Sequence, residues 1–194
     1  MAESKYEVKE QLGHGAFGAV YLALKKDSGE KYATKFVENV DPNVTEIEVK
    51  ILRQIQHPHI IKYVESYYTR DGKLAIVMEY AYRGTLETSV KNHGHPDHEF
   101  WVWRVIYHIS SALNYLHHLR PQHVLHRDLK PANVLGLNNS EKKENRVSWK
   151  LADFGIAKLL TKDAQGKYYA STQTGYLTYM APEVCSSLTS NFCR

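Results

Sequence analysis

Hydrophobic and polar residues alternate in the first third of the chain, and this alternation predicts β-strands. Residues 6–12 follow the pattern, and residues 20–24 and 31–37 are two further short apolar segments. Between these two segments, Asp27-Ser28-Gly29 is typical of a hairpin turn. The pattern therefore predicts an antiparallel meander of three strands at the start of the chain.

The hydrophobic period changes to that of a helix over residues 43–56. One apolar residue recurs at every third or fourth position: Val44, Ile47, Ile51 and Ile55. This spacing places them on one helix face, and Pro58 lies just past the expected end of the helix. Residues 60–68 and 73–80 are rich in Ile, Val and Tyr, and the turn residues 69–72 separate them. They predict a second hairpin.

After Gly84 the pattern becomes mainly helical. A long apolar stripe consists of Phe100, Trp103, Ile106, Ile109, Leu113 and Leu116. We interpret this stripe as the core-facing side of one long helix. Residues 133–137 and 147–151 are short apolar segments on either side of a polar insert, for which a solvated loop is favoured over a docking site. The predicted organisation is a small β-rich lobe followed by a helical lobe.

Composition and charge exclude several classes of protein. The 194 residues carry a formal net charge of +4, with basic residues dispersed along the chain, so we expect no nucleic-acid partner. No apolar run is long enough to cross a bilayer, so we expect no membrane contact. The two cysteines, Cys185 and Cys193, favour a reducing compartment, cytoplasmic or nuclear. His93, His95 and His98 crowd one loop, but no cysteine or acidic pattern supports a metal cluster there.

Three glycines follow the first predicted strand with the spacing G-x-G-x-x-G: Gly13, Gly15 and Gly18. Glycines at this spacing let backbone N–H groups approach phosphate oxygens. A dinucleotide-binding turn has the same spacing, and Glu38 lies twenty residues past Gly18, where that fold places an acid. That turn opens a helix, whereas here a strand follows. The order favours a nucleotide-covering hairpin, with a purely structural hairpin as the alternative.

A lysine lies within the third predicted strand. Lys35 follows the small residues Ala33 and Thr34. An inward-facing strand lysine requires an anion, either a phosphate or a carboxylate, because burying an unpaired charge is costly. Glu48, on the predicted helix that follows, is the natural carboxylate partner. Two surface charges are the alternative interpretation of this pair.

Three further motifs complete a set. Residues 126–133 read His-Arg-Asp-Leu-Lys-Pro-Ala-Asn, Asp153-Phe154-Gly155 begins twenty residues after Asn133, and Ala181-Pro182-Glu183 follows. In identity and order these motifs resemble those of the eukaryotic protein kinase family, from about residue 6 to residue 183. The resemblance implies an α+β bilobal fold with an N-lobe at 1–78, a hinge at 79–84 and a partial, mainly helical C-lobe at 85–194.

The resemblance also implies a role for each matching residue. Lys35 would hold the α and β phosphates of ATP and pair with Glu48. Asp128 would orient the substrate hydroxyl and accept its proton, and Lys130 would steady the transferring phosphoryl group. Asn133 and Asp153 would bind Mg²⁺. The implied ATP-binding residues are Leu12, Gly13, Gly15, Gly18, Val20, Ala33, Lys35, Met78, Glu79, Ala81 and Leu135. The implied stack joining the lobes is Leu52, Tyr63, His126 and Phe154.

The sequence around Lys130, Asp-Leu-Lys-Pro-Ala-Asn, resembles that of the serine/threonine kinases, so a protein serine or threonine is the expected substrate. Arg127 resembles the subgroup that is switched by phosphorylation of an activation loop. Thr172 is the expected acceptor, with Ser171 and Thr174 beside it, and an upstream kinase would be the partner. Ordinary loop hydroxyls are the alternative.

Two departures from the family pattern bear on activity. Tyr176 stands where serine/threonine members carry a threonine that lies near the catalytic Asp and Lys. The chain also ends at Arg194, eleven residues after Glu183, so we expect an incomplete C-lobe that folds poorly. The function predicted by the motifs is protein serine/threonine phosphorylation, and a shortened, non-catalytic kinase-like binding module is the alternative.

Overall fold

The computed structural model describes residues 5–15, 18–37, 42–93, 99–138, 147–155, 157–160 and 177–179. Within them, a five-stranded antiparallel sheet with one helix comes first along the chain. Two further helices and two small two-stranded sheets follow it. This is the α+β, two-lobed arrangement that the sequence predicts, with a β-rich first lobe.

The first lobe is built on a sheet of order β1-β2-β3-β5-β4. Its strands are β1 (Tyr6–Gly15), β2 (Gly18–Lys25), β3 (Lys31–Val37), β4 (Tyr63–Tyr68) and β5 (Leu74–Glu79). Both predicted hairpin turns are present. Gly29 has φ 70° and Gly72 has φ 80°, a backbone conformation that glycine adopts without a side-chain clash.

Helix α1 (Pro42–Gln54) crosses from β3 to the segment that precedes β4. Ile51 is fully buried, as the helical period predicts, but Ile47 of the same series is 41% exposed, and Leu52, which is not in the series, is buried beside Ile51. The predicted strand at 60–68 begins only at Tyr63, because Ile60 forms a parallel bridge with Leu151 of the second lobe instead. Residues 57–62 therefore connect α1 to the second lobe.

The second lobe begins with two helices and continues with short strands. Its elements are α2 (Leu86–His93), α3 (Glu99–His118), β6 (His123–Leu125), β7 (Val134–Asn138), β8 (Val147–Leu151) and β9 (Lys158–Leu160), with short 3₁₀ helices at Pro131–Asn133 and Leu177–Tyr179. Strands β7 and β8 pair antiparallel, as do β6 and β9. The two apolar segments predicted around the polar insert are thus a hairpin.

The predicted core stripe on α3 is wrong in its first half. Phe100, Trp103 and Ile106 are 65%, 59% and 46% exposed, whereas Ile109 and Leu116 are buried. A strict period of three drifts around a helix of 3.6 residues per turn. Nine residues make two and a half turns, so Phe100 and Ile109 lie on opposite sides. No described helix is both long and apolar enough to cross a membrane.

One hydrophobic core joins the two lobes. It contains Leu52 from α1, Ile60 from the connecting segment, Leu116 from α3, Leu151 from β8 and Phe154 beyond it. Burial of these large side chains is the main favourable contribution to keeping α1 against the second lobe. The residues that follow β8 are therefore held close to those of α1 and β3.

Candidate active site

The register of the first sheet places Lys35 on β3, the middle strand of the five. Lys35 lies opposite Val20 on β2 and Ile76 on β5, and Ala33 is two residues away on the same face. Its ammonium is 2.8 Å from Oε1 of Glu48 and 3.0 Å from Oδ1 of Asp153. The structure thus brings together three residues that are far apart in the sequence.

The charges of this cluster compensate one another. Lys35 is 6% exposed, and its burial opposes a positive charge, but the carboxylates of Glu48 and Asp153 outweigh burial and raise the pKa of the ammonium. Burial also opposes ionisation of Asp153, yet the Lys35 ammonium and the Gly155 N–H group lower the pKa of that carboxyl. Lys35 is therefore a cation and Asp153 an anion at neutral pH.

A second cluster is centred on Asp128. The Asn133 Nδ2 group donates to the Asp128 backbone carbonyl and to Asp128 Oδ2, both at 2.8 Å. The Lys130 ammonium lies 2.8 Å from the same Oδ2 atom. Pro131 starts the short 3₁₀ turn, and the Asn133 N–H group donates to the Lys130 carbonyl to close it. The local turn thus returns Asn133 and Lys130 to the carboxylate of Asp128.

His126 connects the two clusters. Its Nε2 donates to the Ala152 carbonyl at 2.9 Å, and its Nδ1 accepts the Asp128 N–H group at 3.3 Å. This tautomer is neutral, and burial lowers the pKa of the His126 ring. The ring meets Phe154 edge to face, with centroids 4.9 Å apart. Asp153, between Ala152 and Phe154, has φ 63°, which turns the chain sharply there.

Oxygen atoms suited to Mg²⁺ lie beside both clusters. The Ala152 N–H group donates to the Asn133 carbonyl at 2.9 Å, which places Asp153 next to Asn133. Asn133 donates to Asp128 through its amide nitrogen, so these hydrogen bonds do not use the side-chain oxygen of Asn133. Carboxylate and amide oxygens are the hard ligands that Mg²⁺ prefers. The residues present therefore fit a magnesium ion.

An apolar slot lies beside Lys35. Ala33 pairs with Met78, and the two lie on the same face as Val20. Leu135 lies on β7 of the second lobe, where it is bridged to Thr85. Val20, Ala33, Met78 and Leu135 are all half-buried, and their role as walls of one slot stays a prediction.

The glycine-rich segment lies where β1 and β2 pair. Gly15 pairs with Gly18, and Gly13 pairs with Val20. Gly18 has φ 129°, and a Cβ atom there would lie 1.9 Å from the Phe36 carbonyl oxygen, so only glycine fits. Leu12, which precedes these glycines, is 42% exposed. The hairpin order rules out the strand-to-helix turn of a dinucleotide fold.

The chain between the lobes makes contacts that the sequence did not predict. The Glu79 N–H group donates to the Lys62 carbonyl, and Glu79 Oε1 accepts from the Lys62 N–H group at 2.7 Å and from the Lys150 ammonium at 2.5 Å. The Glu79 side chain thus binds β8 and the segment before β4. The Ala81 carbonyl accepts from Gly84 N–H. No sequence signal identifies Lys150, because its role depends on how β8 lies beside residues 57–62.

The remaining predicted residues divide into two groups. Leu52 and Phe154 lie in the common core, and Tyr63 lies at its edge with its hydroxyl accepting from Arg53 Nε at 3.2 Å. Arg127 has φ 65°, and burial lowers the pKa of its guanidinium. The activation-loop candidates Thr172, Ser171 and Thr174, together with Tyr176 and Ala181-Pro182-Glu183, lie outside the described residues.

The lysine–glutamate–aspartate cluster, the aspartate–lysine–asparagine cluster and the glycine hairpin together match the arrangement expected of a protein kinase fold. The family model of the protein kinase domain matches residues 6–191, so the chain belongs to that family. Two similar proteins are serine/threonine-protein kinase nekl-2 of Caenorhabditis elegans and myosin light chain kinase A of Dictyostelium discoideum. Both are 35% identical, over 94% and 95% of this chain.

A third relative is probable serine/threonine-protein kinase nek1 of Dictyostelium discoideum, which is 30% identical over 94% of this chain. The matches cover 39% of nek1, 51% of nekl-2 and 60% of myosin light chain kinase A. The chain thus spans about half the length of these curated relatives. Kinase membership, predicted from the motifs, is confirmed.

Proposed function

We propose that this protein is an ATP-dependent serine/threonine kinase that transfers the γ-phosphate of ATP to a protein hydroxyl. The observation that carries the proposal is the position of Asp128, bonded to Lys130 and Asn133, next to the Lys35–Asp153 ion pair. The names of two relatives, nek1 and nekl-2, support a serine or threonine acceptor. The sequence motif at residues 126–133 supports the same acceptor.

Lys35 is the residue that would bind the nucleotide phosphates. Two carboxylates hold its ammonium in place, so little rotamer freedom remains to be lost when a phosphate arrives. Its raised pKa keeps it charged, which suits a group that neutralises phosphate oxygens. Glu48 is then a positioning residue, since it acts by fixing Lys35.

Asp128 would orient the acceptor hydroxyl and take its proton. Lys130 lies 2.8 Å from the same carboxylate and would neutralise charge on the transferring phosphoryl group. Preorganised charges of this kind contribute more in an enclosed cleft than in water, and they need no rearrangement during the reaction. Asn133 holds the Asp128 carboxylate in its orientation.

ATP and Mg²⁺ are the expected cofactors. Asn133 and Asp153 would hold the metal ion, which supplies positive charge to the phosphate oxygens when it is bound. A protein substrate and an upstream kinase acting on Thr172 are the expected partners. A cytoplasmic or nuclear location remains a prediction from the two cysteines.

The test is phosphate transfer from radiolabelled ATP by the full chain, followed by phosphoamino-acid analysis of the product. Transfer to serine or threonine is expected, and Lys35→Met and Asp153→Ala are expected to abolish it. Transfer by the parent chain that does not exceed these two variants would overturn the proposal. ATP binding without transfer would indicate the non-catalytic binding module instead.

A further inference from the structure

Three histidines lie together where the segment after α1 meets α3 and β8. The rings of His59 and His108 stack with centroids 3.9 Å apart and planes 15° apart. His57 stacks on Tyr115, and Tyr107 meets His59 edge to face. None of these residues belongs to the clusters around Lys35 and Asp128. The group is therefore a separate feature of the junction between the lobes.

The stacked pair holds both backbone polar groups of Trp149. The Trp149 N–H group donates to His108 Nδ1 at 3.1 Å, and the Trp149 carbonyl accepts from His59 Nδ1 at 3.2 Å. A carbonyl only accepts, so His59 Nδ1 carries a hydrogen. An N–H group only donates, so His108 Nδ1 does not. The two rings thus clamp Trp149 as opposite tautomers.

His57 must also be neutral to make its observed hydrogen bond. The His59 N–H group donates to His57 Nδ1 at 3.1 Å, and His57 Nε2 lies 3.3 Å from the Ser111 hydroxyl. The His59 and Trp149 N–H groups thus donate to ring nitrogens of His57 and His108, respectively. Protonating His57 or His108 would place a hydrogen on the accepting nitrogen and remove the bond.

The surroundings of the pair also disfavour a positive charge. Burial, the neighbouring His57 and Lys150 lower the pKa of His59. Burial, His59 and Arg104 lower the pKa of His108 to about 4. The pKa of His57 is lowered by burial. Two charged rings 3.9 Å apart would also repel each other strongly.

The clamped strand leads directly to the connection between the lobes. Trp149 precedes Lys150, whose ammonium binds the Glu79 carboxylate at the end of β5. The same carboxylate accepts from the Lys62 N–H group. On the other side of Lys150, the Leu151 N–H group donates to the His59 carbonyl at 2.9 Å. Holding Trp149 therefore holds Lys150 against Glu79.

We propose that His59 and His108 are positioning residues for the nucleotide cleft, which act as neutral rings that clamp Trp149 and keep the Lys150–Glu79 connection closed. Protonation of His108 removes the acceptor of the Trp149 N–H group and so frees β8 from α3, which loosens the bonds of Trp149 and Leu151 to His59. The inference rests on the proposed function to the extent that the cleft beside Glu79 is taken as the nucleotide site.

The sign and size of the effect follow from proton linkage. A released His108 has the ordinary pKa of about 6.5, whereas the clamped ring has a pKa of about 4. Protons therefore favour the released state as the pH falls below about 6.5. Between neutral pH and about pH 5, the equilibrium constant for release therefore rises by at most about thirtyfold.

Hydrogen exchange tests the clamp directly. His108→Asn keeps an accepting oxygen near the position of Nδ1 but cannot be protonated. If that variant unfolds, the titration of the His108 ring followed by NMR in the parent chain serves instead, because a clamped ring stays neutral well below pH 6.5, and a ring that titrates near 6.5 would overturn the clamp. His118→Asn is the matched control, because His118 lies exposed at the end of α3 beside the Asn114 carbonyl. Comparison of variants at one pH cancels the intrinsic pH dependence of exchange.

At about pH 5, residues 59–62 and 149–151 are expected to exchange faster in the parent chain and in His118→Asn than in His108→Asn, by up to about thirtyfold. At about pH 7.5 the three chains are expected to exchange at the same rates. Equal rates in the parent and His108→Asn at the lower pH would overturn the clamp, whether or not the protein is a kinase.

Adenosine affinity tests the connection to the cleft, and adenosine avoids the titration of phosphate groups. Affinity is expected to fall from pH 7.5 to pH 5 in the parent but not in His108→Asn. Lys150→Met is expected to weaken binding at both pH values and to remove the difference. Faster exchange with unchanged adenosine affinity would overturn the positioning role. Absence of adenosine binding even at pH 7.5 would count against the proposed function, and the exchange comparison would still decide the clamp.

Discussion

The Lys35 ammonium lies 2.8 Å from the Glu48 carboxylate, and the protein encloses both side chains almost completely. Removing one partner of a buried pair leaves the other without compensation. Lys35→Met is therefore expected to lower the free energy of unfolding by about 3 kcal/mol, as measured by urea denaturation. The double variant Lys35→Met/Glu48→Gln is expected to recover part of this loss.

Lys50→Met is the control for that measurement, because Lys50 lies exposed on the same helix as Glu48. It is expected to change the free energy of unfolding by less than about 0.5 kcal/mol. Equal losses in Lys35→Met and Lys50→Met would contradict the account of the buried pair.

The amide of Asn133 donates two hydrogen bonds to Asp128. Asn133→Ala is expected to lower kcat about a hundredfold, because a catalytic group that is misplaced by about 1 Å can lose that much rate. Asn133→Asp keeps an oxygen ligand for Mg²⁺ but places a second carboxylate against Asp128. If the hydrogen bond matters, both variants are slow, whereas a role in metal binding alone would leave Asn133→Asp active at high Mg²⁺.

Gly18 lies where no side chain fits. A Cβ atom there would meet the Phe36 carbonyl oxygen at 1.9 Å, while a Cβ atom on Gly13 meets nothing within 4 Å. Gly18→Ala is expected to destabilise the protein by at least about 2 kcal/mol, through this clash and the positive φ. Gly13→Ala is the matched control. If the two variants have the same urea midpoint, the hairpin is not held against β3 as described.

Buried neutral histidines make the fold sensitive to acid. His126 donates from Nε2 and accepts at Nδ1, and burial lowers the pKa of its ring. Below about pH 6.5 the unfolded chain binds more protons than the folded chain, so the free energy of unfolding falls as the pH falls until the folded pKa is reached. Unfolding measured at a series of pH values is expected to show a smaller slope for His126→Asn. An unchanged slope would mean that His126 is not held neutral.

Local pattern predicted most of the described first lobe. Five strands, both hairpin turns and helix α1 follow from alternation, turn residues and the helical period, and their ends moved by only a few residues. The strand predicted from residue 60 begins at Tyr63, because residues 57–62 pair with β8. That pairing depends on tertiary contacts that no local pattern encodes.

The motifs predicted which charged residues would meet, but not the contacts around them. Lys35 and Glu48 come together as the resemblance implied, and Asp153 joins them through an ion pair with Lys35 that was not predicted. The Lys150–Glu79 pair and the stacked histidines were missed, since single lysines and histidines carry no pattern. On α3 the first half of the predicted stripe is exposed, because a period of three residues drifts around the helix, whereas Ile109 and Leu116 are buried as predicted.

The central claim is that the cleft holding Asp128 transfers phosphate and does not only bind nucleotide. The most direct measurement compares the parent chain with Asp128→Asn for both phosphotransfer rate and affinity for ATP in the presence of Mg²⁺. The account predicts that the affinities agree within about twofold, while the variant transfers phosphate at least about a hundredfold more slowly. Equal transfer rates in the two chains would contradict the claim.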